Sequence, residues 1–184
     1  MWRIRRRQDS DFGEWIDRHH GALYRHALWM VGHPETAEDM VQETYYRAWR
    51  GRRGLRDPRR VLPWLLSILR RVVYREYRQR ARGAELAEAL GATDGDCQPD
   101  TQRELLDLHR ALAALPVSQR ETLLLHALHG FSYQEISDQL EVPVGTVMSR
   151  IARARKAVSA GLERDGAGGR VIELRPARGR SKGQ

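Results

Sequence analysis

The chain has 184 residues, 41% of them hydrophobic, enough for one domain or two small ones, and no segment approaches the roughly 20 apolar residues of a membrane span. Its 32 Lys and Arg against 24 Asp and Glu give a net charge of +8, which favours a polyanionic partner. The single Cys97 excludes an internal disulfide and a multi-cysteine zinc site, and MWRIRRRQDSDF has the charge of an export signal without its apolar core, so a cytoplasmic location is expected.

Phe12, Trp15, Ile16, Leu23, Ala27, Leu28 and Val31 recur at helical spacing, which predicts an amphipathic helix over 11–31 ended by Gly32-His33-Pro34. A second helix, from about Glu35 to Arg50, turns Ala37, Met40, Val41, Thr44 and Ala48 inward. It also gathers Glu35, Glu38, Asp39 and Glu43. On so basic a chain this face repels DNA and suits a basic protein surface, the alternative being a merely solvated acidic helix. Residues 51–58, GRRGLRDP, read as a loop. Pro63 then opens a third helix to about Arg82. Its first half is apolar (Trp64, Leu65, Ile68, Leu69, Val72, Val73) and its second half basic (Arg75, Arg78, Arg80, Arg82), so its far end belongs in solvent or on a polyanion. Trp64 could stack on an unpaired base, but its place in an apolar first turn favours a core role.

Between 83 and 102 the composition flips to Glu85, Glu88, Asp94, Asp96 and Asp100 without a Lys or Arg, interrupted by Gly83, Gly91, Gly95 and Pro99. That is a flexible acidic linker. Fully extended, some 20 residues reach at most about 65 to 70 Å, which covers roughly 20 base pairs of duplex. As a free coil the same length averages about 25 Å, so something must hold it stretched. Helical spacing resumes at Leu105, Leu108, Leu112 and Leu115 and breaks at Pro116. It restarts at Ser118 with Glu121 as a capping box and ends at Gly130. From Arg164 the tail carries six basic and two acidic residues among many glycines and is expected to be disordered.

Residues 131–158, FSYQEISDQLEVPVGTVMSRIARARKAV, read as two short helices joined by a tight turn. Ser132 and Glu135 form a capping box, Ile136 and Leu140 point inward, and Pro143 stops the first helix and suits the first turn of the next. At about 100° per residue, Val144, Val147, Ile151, Ala154 and Val158 make one apolar stripe. Thr146, Ser149, Arg150, Arg153 and Lys156 face the other way. These residue types bind phosphates and base edges, and such a helix fits a major groove about 12 Å wide. Arg155 projects near the edge of the stripe, where an ion pair or a snorkelling stem is favoured over a base contact. The plainer alternative is a solvated basic helix in an ordinary bundle.

Seven histidines, chiefly His126 and His129 with His19, His20 and His26, offer no local third ligand, so neither a metal nor a cofactor is expected. Cys97 has no basic neighbour in sequence to lower its pKa. A glycine-rich phosphate loop, a metal cluster and a catalytic triad are all missing from the pattern, which argues against an enzyme.

The segment 115–158, LPVSQRETLLLHALHGFSYQEISDQLEVPVGTVMSRIARARKAV, resembles region four of the sigma-70 family, and AEDMVQETYYRAWR over 37–50 resembles its region-two helix. Together the resemblance covers about 12–82 and 105–162 and is to the compact extracytoplasmic-function type. It implies an all-α chain of two small helical domains: region two over 10–82, the linker over 83–102, region four over 103–163, and the tail over 164–184. It further implies a non-catalytic specificity subunit that binds core RNA polymerase at the beta-prime clamp and beta flap, binds promoter DNA, and is held by an anti-sigma factor. By position in the motifs, Glu38, Asp39, Gln42 and Glu43 fall on the polymerase-docking helix. The minus-ten contacts fall on Arg56, Asp57, Arg59, Arg60 and Val61 in the base-capturing loop and on Arg71, Arg75 and Arg78. Thr146, Ser149, Arg150, Arg153 and Lys156 would read the minus-thirty-five duplex. Arg71 and Arg75 stand where many relatives have Asn and Asp. In the family the stretched linker lies in the basic RNA exit path, so the isolated protein would bind promoters weakly. The rival readings are a stand-alone helix-turn-helix regulator and a nucleic-acid-processing enzyme.

Overall fold

The chain divides into two units, one over residues 1–94 and one over 95–184. The computed structural model describes residues 2–55, 57–87 and 100–164, and among these there is no strand. Cys97, most of the predicted linker and the tail beyond Arg164 lie outside the described residues, as does Arg56.

The first unit packs α1 (Trp2–Val31), α2 (Pro34–Gly51) and α3 (Val61–Ala87) against one another. Gly32 makes the first corner at φ 86, its amide donating to the Leu28 carbonyl at 2.8 Å. A side chain would be strained there, and Pro34 then opens α2 where its missing amide is no loss. The buried residues of α2 are Ala37, Met40, Val41, Thr44 and Ala48, the five that the periodicity turns inward. Thr44 remains satisfied by donating its hydroxyl to the Met40 carbonyl at 2.7 Å. Leu23, Ala27 and Met30 of α1 and Leu65, Leu66, Ile68, Leu69, Val72 and Val73 of α3 complete the core. The Tyr77 hydroxyl donates to the Met30 carbonyl and ties the middle of α3 to the end of α1.

Two helices run longer than their sequence signals. Residues 2–12 contain no proline or glycine, and arginine and glutamine are good helix formers, so α1 begins at Trp2, well before Asp11. Ala84, Glu85, Leu86 and Ala87 likewise carry α3 past Gly83, at a cost of about 1 kcal/mol for one glycine. At its other end α3 begins at Val61, with Pro63 inside the first turn, where amides have no helical partner anyway.

The second unit contains α4 (Asp100–Ala113), α5 (Val117–Ala127), α6 (Tyr133–Leu140) and α7 (Val144–Arg164), with the other three packed on α7. The predicted capping box at Ser118 and Glu121 does not form. Pro116 caps α5 instead, its carbonyl accepting from the Gln119 and Arg120 amides at 2.9 and 3.0 Å, which places Ser118 inside the helix and Glu121 in the core. Buried Arg120 reaches back to the Ala113 and Leu115 carbonyls at 2.5 and 3.2 Å, supplying charged donors to the negative end of α4. Leu112 and Leu115 are buried, whereas Leu105 is exposed.

Gly130, at φ 71, turns the chain out of α5 as a left-handed cap, its amide donating to the His126 carbonyl at 3.1 Å and the Phe131 amide reaching the Leu125 carbonyl at 3.2 Å. The capping box that opens α6 is complete. The Ser132 hydroxyl accepts from the Glu135 amide at 3.2 Å, and the Glu135 carboxylate accepts from the Ser132 amide at 2.8 Å. Ser132→Ala is expected to cost the second unit about 1 kcal/mol in a urea titration, since the Glu135 amide loses its acceptor and the Glu135 carboxylate loses the hydroxyl that donates to it.

Candidate functional site

The turn between α6 and α7 is made by Glu141 at φ 56, a conformation that usually calls for glycine or asparagine. It holds because the chain around it is cross-tied. The Val142 amide donates to the Ser137 carbonyl at 3.2 Å, and the Ser137 hydroxyl donates to the Val142 carbonyl at 2.6 Å. Pro143 then accepts the first α7 bonds, from Thr146 and Val147 at 2.8 and 3.2 Å. Val147, Ile151, Ala154 and Val158 are buried and Val144 is half-buried, which fixes the rotation of α7 about its axis.

That rotation leaves Arg153 and Lys156 exposed and Thr146, Ser149 and Arg150 half-buried on the open side. The Ser149 hydroxyl donates to the Thr146 carbonyl at 3.0 Å. Arg150, Arg153 and Lys156 enter no ion pair among the described residues, so their donors are available to an external acceptor. Of the two roles expected for Arg155, the ion pair does not form among the described residues, and its side chain is exposed. The packed stripe is narrow, and the solvent arc of α7 extends round to it.

On α2, Asp39 and Gln42 are exposed while Glu38 and Glu43 are half-buried. The acidic cluster therefore divides. Glu43 Oε1 accepts from Arg47 Nε at 2.7 Å and lies 3.7 Å from Arg75 Nη2 on α3, so one carboxylate serves both helices. The outward residues form a 4-3-4-3 stripe of Glu35, Asp39, Gln42, Tyr46 and Trp49. Tyr46 and Trp49, 58% and 37% exposed, have no place in the sequence reading, although the same spacing that marks the inward face would have disclosed them. The Arg52 guanidinium lies 3.6 Å from the Trp49 ring centroid and donates to the Trp49 carbonyl at 2.6 Å.

On α3, Arg71, Arg75 and Arg78 fall at i, i+4 and i+7 and are all exposed. The loop that precedes them is shaped by Asp57, whose carboxylate accepts from the Arg59 amide at 2.9 Å and caps the 3-10 turn Pro58–Arg60, leaving Arg59 and Arg60 outward. Val61 does not belong with them. It is 2% exposed and begins the apolar stripe of α3, because the helix opens two residues before Pro63, so its side chain cannot meet a base.

Behind these faces lies an aromatic cluster. Phe12 meets Trp15, Tyr45 and Trp49 with ring centroids 5.8, 6.3 and 5.1 Å apart, and Trp15 meets Trp64 edge-on at 6.2 Å. Trp64 is thus half-buried against a partner ring. Tyr45 stacks on His20 at 6.2 Å and directs its hydroxyl at the Ile16 carbonyl, and burial, with Asp17 and Glu38 adding, pushes its pKa up to about 12. An unfolded phenol ionises near pH 10, so between about 10 and 12 only the unfolded chain releases this proton. The stability Tyr45 confers is complete below that window and lost as pH rises through it. Tyr45→Phe should flatten that decline when denaturant unfolding is compared across the window.

His126 Nδ1 lies 2.9 Å from the Phe131 carbonyl, and among the described residues no group of three or more His, Cys, Asp or Glu is placed to hold a metal. Nor, among them, is any helix long and apolar enough to cross a membrane.

The sigma-70 region 2 family profile matches residues 15–83, and the sigma-70 region 4 profile matches residues 105–158. The chain belongs to the sigma-70 family. Among its relatives is the ECF RNA polymerase sigma factor EcfG of Rhodopseudomonas palustris, 36% identical over 148 residues, covering 79% of this chain and 82% of that one. The ECF RNA polymerase sigma factor SigC of Mycobacterium tuberculosis is 38% identical over 135 residues, covering 71% and 72%. Among solved structures, the sigma factor RpoE of Bartonella quintana, crystallised with the anti-sigma factor NepR, superposes with a TM-score of 0.72 at 28% identity, covering 83% of this chain and 97% of that one. The function is that of an RNA polymerase sigma factor of the extracytoplasmic-function type, and its all-α architecture is that of sigma regions two and four.

Proposed function

We propose that this sigma factor joins core RNA polymerase through the outward stripe of α2 and reads its promoter with two separate faces, acting as a non-catalytic specificity subunit in the cytoplasm. Asp39 and Gln42, with the half-buried Glu38 and Glu43, supply the acidic docking surface. Arg59, Arg60, Arg71, Arg75 and Arg78 gather phosphates and the melted strand at minus ten, with Asp57 shaping the loop. Thr146, Ser149, Arg150, Arg153 and Lys156 read the minus-thirty-five duplex. The domains are region two over 10–82 and region four over 103–163. The observation that carries this reading is the basic arc of α7, rotated outward by its buried stripe on a fully capped helix-turn-helix. The Bartonella relative is held by an anti-sigma protein, which supports an anti-sigma partner for this chain as well.

Run-off transcription with core polymerase on genomic DNA, followed by start-site mapping, tests the proposal. Discrete starts that require the added protein and share two upstream elements are expected. Starts unchanged by its addition would refute it.

A further inference from the structure

The outward arc of α7 is not uniformly polar. Met148 is 53% exposed, while its neighbour Val147 is fully buried. Around it the surface is low: a Cβ added at Gly145 would meet nothing within 4 Å, and Ala152, one turn on, is exposed. A long thioether therefore rises from small residues in the first turns of α7, where the other outward side chains are small, hydroxylic or cationic. One apolar side chain set among Ser149, Arg153 and Lys156 does not make the continuous apolar stripe that a protein partner's groove would require. It does match the major groove, where thymine alone presents a methyl group among polar base edges. Methionine, unbranched and polarizable, adapts to such a contact.

We propose that Met148 is a specificity-determining residue that reads the 5-methyl group of a thymine in the upstream promoter element. This rests on the reading of α7 as the recognition helix. The test uses holoenzyme and duplex fragments of a promoter mapped by run-off transcription, with each thymine of the upstream element replaced in turn by deoxyuridine, which removes only the methyl. At one thymine the wild-type holoenzyme should bind the uracil fragment about four-fold more weakly, the effect of one buried methyl. Holoenzyme carrying Met148→Ala should bind the thymine and uracil fragments equally and more weakly than wild type binds thymine. Met148→Leu, which keeps an apolar side chain, should retain part of the discrimination and controls for folding. Wild-type indifference to every uracil, or discrimination undiminished in Met148→Ala, overturns the proposal. Arg150→Ala and Arg153→Ala on the same fragments separate the two layers. If they weaken binding while uracil has no effect, the methyl contact alone has failed; if they too are silent, α7 is not the reader.

Discussion

Alanine in place of Arg150 or Arg153 lowers the affinity of the holoenzyme for its upstream element by about 1 to 3 kcal/mol if the guanidinium grips a base edge. The structure makes this a clean experiment. Neither arginine has an ion-pair partner among the described residues, alanine is the strongest helix former, and the stripe that orients α7 lies on the opposite side. Loss of affinity therefore reports the DNA contact. The two kinds of contact also separate. A base-edge contact relaxes discrimination at one position, whereas a phosphate contact weakens all sequences alike and flattens the dependence on log salt by about one unit. Filter binding of holoenzyme to wild-type and singly substituted promoters over a salt series measures both. Undiminished affinity for both variants would remove α7 from the interface.

Reversing charge at Asp39 and Glu43, as Asp39→Arg with Glu43→Arg, is expected to abolish co-purification with core polymerase while the helical circular dichroism signal persists. The two positions contribute differently. Asp39 is exposed, so its reversal changes the surface alone. Glu43 sits between Arg47 and Arg75, and a third arginine there adds repulsion inside the unit. Asp39→Arg alone is therefore the stricter variant, and it should weaken association at least ten-fold if the carboxylate meets a desolvated cation, for which about 1.4 kcal/mol suffices. A pull-down unaffected by either change would exclude α2 as the docking surface.

Periodicity disclosed the packed faces, because burial of a helix follows its apolar spacing. The five inward residues of α2 and four of the α7 stripe were legible from that rule alone. Termini were harder, since they depend on competition. The helical spacing starts at Asp11, yet the favourable arginines before it extend the helix, and Ser118 lost its role to Pro116 two residues earlier. Single side chains at boundaries were harder still. Val61 was assigned by its place in a loop motif, but the start of α3 turned it into core, and Arg155, expected near the edge of the stripe, is exposed without an ion pair among the described residues. Glu141 carries no local signal for its left-handed turn, which is imposed by the bonds that Ser137 makes across it. Tyr46 and Trp49 carry no charge to mark them as surface, and only their spacing from Asp39 discloses the face they share.

The carboxylate of Glu43 touches the cations of two helices whose outward faces are proposed to serve different partners. Any ligand on α2 that draws this group away releases Arg75 toward nucleic acid, and a strand that engages Arg75 returns Glu43 to the first ligand by the same factor, as linkage requires. Because the pair is half-exposed, the exchange is worth at most about 1 kcal/mol, a few-fold in affinity. With the roles proposed for α2 and Arg75, a single shared acid lets loading and reading strengthen each other slightly, without any movement of the backbone.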